Sequence, residues 1–380
     1  MFLFQHTHEY FVQVAHGLEE LAAKEIVALG ALHVQPAYRG LYIQAEDATV
    51  MRICYESRLA SRVLALLSRF SIHTEKDVYR HALDIPWHKL FSKNRTFAVT
   101  FHVANSVFKN GQYAALLLKD AICDRFRQEF GTRPNVDTNN PHVTFHVFVH
   151  GDKGQLSVDY AGTSLHKRGY RTHNHGLAPM QETLAAAILY HTGFDGTRPL
   201  WDPMCGSGTL AAEALMKAAH IPAGYLRKYF GFFALETFDA ATWKRVKHHA
   251  DAAISPLFPG RITASDIDAA AVEKARANLA HLPFHPVVQF KTADFVNMPE
   301  FHDGIIVCNP PYGIRMGDTA SVTKLYTKLG DFLKKHCKGS TAWVYLGNPS
   351  LVSAFHLKPA CKIPMPAGDL DGRLVCFNLF

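Results

Sequence analysis

The chain has 380 residues, long for one hydrophobic core, so two or three domains are expected. Its hydrophobic content of 48% argues against disorder, and no uncharged apolar run reaches the ~18 residues of a membrane span. The net charge of +7 is spread, with 20 Lys+Arg against 16 Asp+Glu in residues 1–178 and 20 against 17 in the rest, which permits a polyanionic partner without requiring one.

Seven scattered cysteines with no C-x-x-C pair fit reduced thiols, and the 23 histidines contain no H-E-x-x-H. Cytoplasmic location and no bound metal are the resulting expectations. "MFLFQHTHEYFVQVA" lacks a basic leader and carries Glu9 early, so it reads as a first strand and not as a signal peptide. "GLEELAAKEIVALG" has helical spacing with Gly30 as its stop, and "ALHVQPAYRGLYIQA" reads as a hairpin. "TVMRICYESRLASRVLALLSRF" predicts one helix, "TFAVTFHV" a strand, and "GQYAALLLKDAICDRFRQEFG" a long amphipathic helix. "HVTFHVFVHGDKGQLSVDYAG" is a hairpin turning at Gly151–Gly154. This half is α+β, in two small pieces meeting near residues 45–60.

Between Asp159 and Glu182 the only charges are Lys167, Arg168 and Arg171. This stretch is the best domain boundary. It is either a solvated linker or a basic, tyrosine-bearing connector beside an RNA site, because Arg and Lys contact phosphates and Tyr can stack on bases.

From residue 180 onward strands and helices alternate, the mark of a doubly wound α/β sheet. The predicted strands are "RPLWDP", "RITASD", "PVVQFKTAD", "DGIIVCNP", "TAWVYLG", "FHLKPAC" and "RLVCFNLF". Helices are "TLAAEALMKAA", "AAAVEKARANLA" and "ASVTKLYTKLGDFLKKHC".

"LWDPMCGSGTLAAEAL" is strand, Gly-rich turn and helix, in which Gly206 and Gly208 let backbone approach a ligand. It is neither a P-loop nor G-x-G-x-x-G. Asp266 ends the next strand, where such folds place a ribose-binding carboxylate. It lies about 60 residues after the glycines instead of about 20, with the aromatic insert "GYLRKYFGFFALETFDAATW" between, which disfavours nicotinamide binding. Asp294 and Phe295 follow the third strand on the same rim, as an adenine hydrogen-bonding group and a stacking face. Each acid alone reads as a helix N-cap, but Asp202, Asp266 and Asp294 would share one rim.

"NPPY", 309–312, ends the fourth strand. A residue before proline is pushed out of the α region, so Asn309 and Pro310 are both extended. One reading is a strand-terminating turn. The other is an amine site, with the Asn309 oxygen and the Pro310 carbonyl accepting both hydrogens of an exocyclic amine and Tyr312 stacking on the base. A PPxY ligand motif is excluded, because Gly313 stands where its Tyr would be.

"DPMCGSGT", "SDID", "ADF" and "NPPYG", in that order, resemble the S-adenosylmethionine-dependent amino-methyltransferases marked by (N/D)PP(Y/F). "HGLEELAAKEI", "SRLASRV", "RPNVD", "LHKRGYR" and "NPPYGIR" are similar to the RlmL-type 23S rRNA guanine-N2 methyltransferases, over nearly the whole chain. The resemblance implies a Rossmann-like class I methyltransferase domain (181–380) preceded by an α+β ferredoxin-like segment (1–55), a THUMP RNA-binding domain (56–160) and a basic linker (161–180). It implies S-adenosyl-L-methionine as cofactor, held by Thr183, Asp202, Pro203, Cys205, Gly206, Gly208, Thr209, Asp266, Ile267, Asp294 and Phe295. Asn309, Pro310, Pro311 and Tyr312 would hold the target amine, and Arg133, Asn135, Lys167, Arg168 and Arg171 the RNA. The family's known fusion carries a second methyltransferase beyond this point, whereas the sequence read here stops at Phe380, so a second activity is not expected of it. Alternatives are tRNA guanine-N2 methylation, DNA adenine-N6 methylation, and an RNA-binding protein with a vestigial donor pocket.

Overall fold

Residues Glu9–Gln13 alternate half-buried and buried side chains, the period-two pattern of a strand with one face on a core. The computed structural model describes residues 2–106, 108, 111–171, 180–312, 319–368 and 370–380, so that part of the basic connector (172–179) and residues 313–318, which include Gly313, lie outside the described residues. Two compact units are present: Met1–Val14, Ala23–Leu165 and Arg227–Lys247 form one, and Ala15–Ala22, His166–Leu226 and His248–Phe380 the other.

In chain order the first half contains α1 (Leu3–Thr7), β1 (Glu9–Gln13), α2 (Glu19–Ala28), β2 (Leu32–Ala37), β3 (Gly40–Gln44), α3 (Asp47–Glu56), β4 (Arg62–Ser71), α4 (Lys76–Leu83), β5 (Phe97–Ala104), α5 (Gly111–Phe130), β6 (Val143–His150) and β7 (Lys153–Asp159). Its seven strands make one sheet, ordered β2-β3-β1-β4-β7-β6-β5, in which only β5 and β6 run parallel. A core of Trp87, Phe91, Phe97, Phe126 and Phe145 is fully or almost fully buried, and the Trp87 indole N–H donates to the Ala82 carbonyl at 2.8 Å. Truncating such a ring costs about 3–5 kcal/mol.

Two sequence expectations fail here. Leu3–Thr7 is a helical turn, not strand, with the Gln5 side chain accepting the Phe2 N–H and the Thr7 hydroxyl donating to the Leu3 carbonyl, both at 3.0 Å. The single helix predicted through residues 49–70 is instead α3 and the ten-residue strand β4. The cause is long-range. The Glu25 carboxylate accepts the Ser57 hydroxyl (2.6 Å) and the N–H groups of Arg58 (2.8 Å) and Leu59 (3.2 Å), donors that a continuing helix would have kept for itself. β4 then pairs with β1 and β7 and buries Val63–Leu67.

The second half contains α6 (Glu182–Thr192), β8 (Leu200–Asp202), α7 (Thr209–Ala218), α8 (Ala240–Ala252), β9 (Ile262–Asp266), α9 (Ala269–Leu279), β10 (Val288–Thr292), β11 (Ile305–Cys308), α10 (Thr319–His336), β12 (Thr341–Leu346), β13 (Cys361–Pro364) and β14 (Arg373–Asn378). The sheet order is β10-β9-β8-β11-β12-β14-β13, parallel through β12 and antiparallel at β14 and β13. The chain moves outward from β8 to β10, then returns to the other side of β8 as β11, so a crevice forms between β8 and β11 at their carboxyl ends. "FHLKPAC" is not a strand. A 3-10 turn over Pro349–Phe355 ends at His356, whose φ is +50°, and strand pairing begins only at Cys361, after Pro359. Among the described residues no helix is long and apolar enough to cross a membrane, and no cluster of three or more His, Cys, Asp or Glu could hold a metal.

Replacing Glu25 with Ala should lower stability by about 2–4 kcal/mol, since two backbone donors and a hydroxyl lose a charged acceptor. Urea unfolding of E25A beside K24A, one residue away and exposed, measures this. K24A should stay within about 0.5 kcal/mol of the parent.

Candidate active site

Four parallel strands, β10, β9, β8 and β11, end along one edge; Asp202 and Asp266 are the last residues of β8 and β9, and Asp294 and Asn309 stand just past β10 and β11. β9 holds its neighbours in place. The Ser265 carbonyl accepts the Cys205 N–H (2.9 Å), the Asp266 carboxylate accepts the Gly206 N–H (2.9 Å), and the Asp266 carbonyl accepts the Ala293 N–H (2.9 Å). The other Asp266 oxygen takes the Asp268 N–H at 3.0 Å. Each carboxylate oxygen retains a further lone pair.

The Gly-rich turn needs its glycines for different reasons. Gly208 has φ +78°, and a Cβ there would lie 2.8 Å from the Ala275 Cβ on α9. Gly206 has φ +51°, and a Cβ there would meet nothing within 4 Å, so this backbone faces open space. The Asn278 amide donates to the Ser207 carbonyl (3.0 Å) and closes the turn from α9.

Asp202 is 1% exposed and accepts the Met204 N–H at 3.2 Å. Burial pushes its carboxyl up to about 8; the Met204 bond opposes this and the Asp266 charge adds to it. Pro203 and Cys205 are buried beside it, and burial raises the Cys205 thiol, which argues against a thiolate nucleophile. Thr183 is buried on α6, and the Thr209 hydroxyl at the start of α7 accepts from Arg171 at 2.6 Å.

Asp294 caps the short turn Phe295–Asn297 and pairs with Lys328 at 2.8 Å. Phe295 does not offer a stacking face. It is 4% exposed, packs edge-on against Phe332 (5.8 Å), and has the Lys328 ammonium 5.5 Å from its ring centre. The apolar side chain that does reach solvent on this rim is Ile267, 71% exposed.

In the fourth turn Pro310 is buried, Asn309 and Tyr312 are half-buried, and Pro311 is exposed. The Tyr312 hydroxyl donates to the Asn309 side-chain oxygen, and the Tyr326 hydroxyl donates to the Pro311 carbonyl at 3.0 Å. The Tyr312 ring lies edge-on to Tyr345 (6.1 Å) and leaves no room for a side chain at 347, where a Cβ would come within 2.8 Å of it. Tyr326, Lys328 and Gly347 were invisible to sequence reasoning, being ordinary residues of α10 and of the turn after β12.

The basic connector is corrected by the structure. Arg168 is 1% exposed and pairs with Glu213 of α7 (3.3 Å), which also accepts the Tyr170 hydroxyl (3.2 Å). Arg171 pairs with Glu182 of α6 at 3.2 Å. The Arg168 guanidinium is internal and turned away from phosphates, Arg171 is half-buried with its guanidinium engaged by Glu182, and Lys167 is exposed. Arg133 and Asn135 lie elsewhere, in the first unit, lining concavities of about 400 and 440 Å³.

Residues 168–375 match the family described as RMKL-like, methyltransferase domain, residues 73–159 the THUMP domain, and residues 9–64 the RlmL ferredoxin-like domain. The chain is 37% identical over 372 residues to "Ribosomal RNA large subunit methyltransferase K/L" of Photobacterium profundum, covering 96% of this chain and 52% of that protein. The protein of the same name from Vibrio campbellii is 36% identical, with the same coverage. The chain therefore spans about half the length of the curated relatives it matches. Among solved structures, SMU.472 in complex with SAH is 25% identical with a TM-score of 0.86, covering 98% of each chain. A "possible methylase" from Clostridium difficile 630 is 26% identical, also with a TM-score of 0.86 and 98% of each chain covered.

The raised Asp202 carboxyl has a consequence for stability. Below pH 3.8 the group is protonated in both folded and unfolded chains, and between 3.8 and about 8 only the unfolded chain ionises freely, so its contribution is lost as pH rises through that window. Asp202→Asn should lose less stability than the parent between pH 5 and pH 8, measured by urea midpoints at both values.

Proposed function

Because the chain belongs to the RMKL-like methyltransferase family, with THUMP and RlmL-type ferredoxin-like domains ahead of the catalytic one, we propose that it methylates the N2 amine of a guanine in large-subunit ribosomal RNA. The observation that carries the reading is the convergence of Asp202, the Gly206–Gly208 turn, Asp266, Asp294 and Asn309 on one sheet edge. The name shared by the curated relatives supports ribosomal RNA as the substrate.

S-adenosylmethionine, the cofactor of this class, supplies a methyl group on a positively charged sulfur. The Asp266 oxygens, each holding one backbone N–H, would accept the ribose hydroxyls with their remaining lone pairs. The open backbone at Gly206 gives space for the methionine portion, and Asp294 with Ile267 would border the adenine in place of Phe295.

The target amine is a weak nucleophile, because its lone pair is delocalised into the base. The Asn309 oxygen and the Pro310 carbonyl would accept its two hydrogens and turn the lone pair toward the methyl carbon. An amide oxygen has two lone pairs, so Asn309 can hold the Tyr312 hydroxyl and an amine hydrogen together. Transfer would form the N–C bond as the S–C bond breaks, and the methylated amine would then shed one proton to solvent. The residues act by positioning and by excluding water.

Asn309→Ala should reduce methyl transfer by at least roughly 10²-fold while RNA affinity stays near that of the parent. Retained turnover would remove the carboxamide from the reaction. Asp266→Ala should weaken S-adenosylmethionine binding by calorimetry. Nucleoside mass spectrometry of large-subunit and transfer RNA pools, from cells with and without the protein, tests the substrate. Loss of N2-methylguanosine from the large-subunit pool is the expected result, and its persistence there overturns the assignment.

A further inference from the structure

The aromatic insert singled out in the sequence is absorbed by no role assigned above. Its residues Arg227–Lys247 belong to the first compact unit. There Leu235 forms a β-bridge with Phe91, and the Glu236 N–H donates to the Leu90 carbonyl at 2.9 Å. The insert is thus tied to the loop that carries Lys93 and Arg95. The other end of that loop is tied to residues 135–137: the Phe97 N–H donates to the Asn135 carbonyl and the Asp137 N–H to the Phe97 carbonyl, both at 3.0 Å.

These ties line up three concavities. The first, about 490 Å³, is walled by Phe233, Leu235 and Phe238 of the insert and by Asn94 and Arg95. Asn94 and Arg95 also line the second, about 440 Å³, with Lys93 and Arg133. Arg133 and Asn135 pass into the third, about 400 Å³, where Lys119 and Arg127 stand. Along the whole length five cations face two acids, Asp120 and Glu236. Among the described residues no ion pair takes up Lys93, Arg95 or Arg133. The aromatic end is firm: Phe233 packs against Phe238 (5.1 Å) and Trp243 (5.5 Å), and the half-exposed Tyr229 anchors its hydroxyl on the His142 carbonyl at 2.9 Å.

We propose that this run of concavities is a track for unpaired RNA, in which the insert's rings meet the bases and Arg95, Lys93 and Arg133 meet the phosphates. The inference rests on the reading of RNA as substrate and names a surface that recognises it. A ring-walled hollow continuous with a row of cations matches a single strand, whose bases show their faces; a duplex keeps its base faces covered. The rings that line the concavities come from within the catalytic half of the sequence and the cations that line them from the THUMP region.

The test uses the full chain and fluorescein-labelled dodecauridylate, with a 12-base-pair RNA duplex and dodecaglutamate as comparators. Anisotropy titrations at several salt concentrations should show Arg95→Ala and Arg133→Ala each weakening dodecauridylate several-fold and lowering the log–log salt slope by about 0.7. Phe238→Leu, which keeps an apolar side chain and removes the ring, should weaken binding by roughly 5-fold or more without changing the slope. Lys358→Ala, exposed in the second unit, should bind as the parent does. Parent-like far-UV circular dichroism and urea midpoints show that each variant is folded. Parent-like affinity in both Arg95→Ala and Phe238→Leu overturns the proposal, as does a duplex bound as tightly as the single strand or full displacement of RNA by dodecaglutamate. Nucleoside analysis is independent of these titrations: if N2-methylguanosine persists while the variants lose dodecauridylate, the track stands and the guanine assignment falls.

Discussion

The carboxylate of Asp266 receives the N–H of Gly206 from one side and that of Asp268 from the other, while the backbone carbonyls of residues 265 and 266 hold Cys205 and Ala293. Three turns after three parallel strands are thereby referenced to the end of β9. Charge-assisted bonds of this kind contribute about 1.5–3 kcal/mol each. Their larger effect is geometric: the Gly-rich turn cannot drift from the second strand without breaking them. On the proposed reading, an acid at this position shapes the donor cleft before any ligand arrives, so its loss would affect both the shape and the ligand. Asp202, one strand away, is different. It has a single backbone donor and full burial, and its raised carboxyl follows from that poorer solvation.

Charge also explains why the connector misled a reading of sequence alone. Lys167, Arg168 and Arg171 stand in a stretch without acids, which looks like an exposed basic patch. The acids arrive from afar, Glu182 on α6 and Glu213 on α7. A guanidinium buried at 1% exposure is tolerated only with such a partner and further hydrogen bonds, which Tyr170, Thr209 and the Met180 carbonyl provide around the two pairs. Within the described part of the segment, Arg168 and Tyr170 are internal and bind to Glu213 of α7. The cations that line the concavities of the first unit, by contrast, are scattered in sequence and adjacent in space.

What was legible in the sequence follows the same division between local and distant causes. Both N-terminal hairpins, the long helix α5 and the alternation of β8 through β12 with helices were readable, because period two, period 3.6 and glycine stops are local signals. So were the four strand ends. The strand β4 was not, because the residue that ends α3 is Glu25, more than thirty positions away. Phe295 was misjudged for a related reason. An aromatic next to a rim acid has two faces to turn, and the packing of Phe332 on α10 decided which way it points. Phe91, Leu235 and Val136, which bring the insert and the cation-bearing loops together, pair as isolated bridges that no sequence pattern announces.

The fourth turn shows how rigid and adjustable parts are combined. Asn309 and Pro310 are both restricted by the proline that follows them, so their backbone is extended without any tertiary support. Tyr326 occupies the Pro311 carbonyl, the next acceptor in line, and so fixes the turn from α10. The remaining freedom lies in side chains. Tyr312 is bonded to the Asn309 oxygen and seated against the bare backbone of Gly347, so the carboxamide and the ring hold each other in place. On the proposed reading, a base entering this turn would meet an acceptor whose oxygen direction is already set by a neutral hydrogen bond, a contact worth about 1 kcal/mol net and therefore cheap to share or exchange. Backbone rigidity sets where the acceptors stand, and this weak side-chain contact keeps the carboxamide oriented until a stronger partner takes its second lone pair.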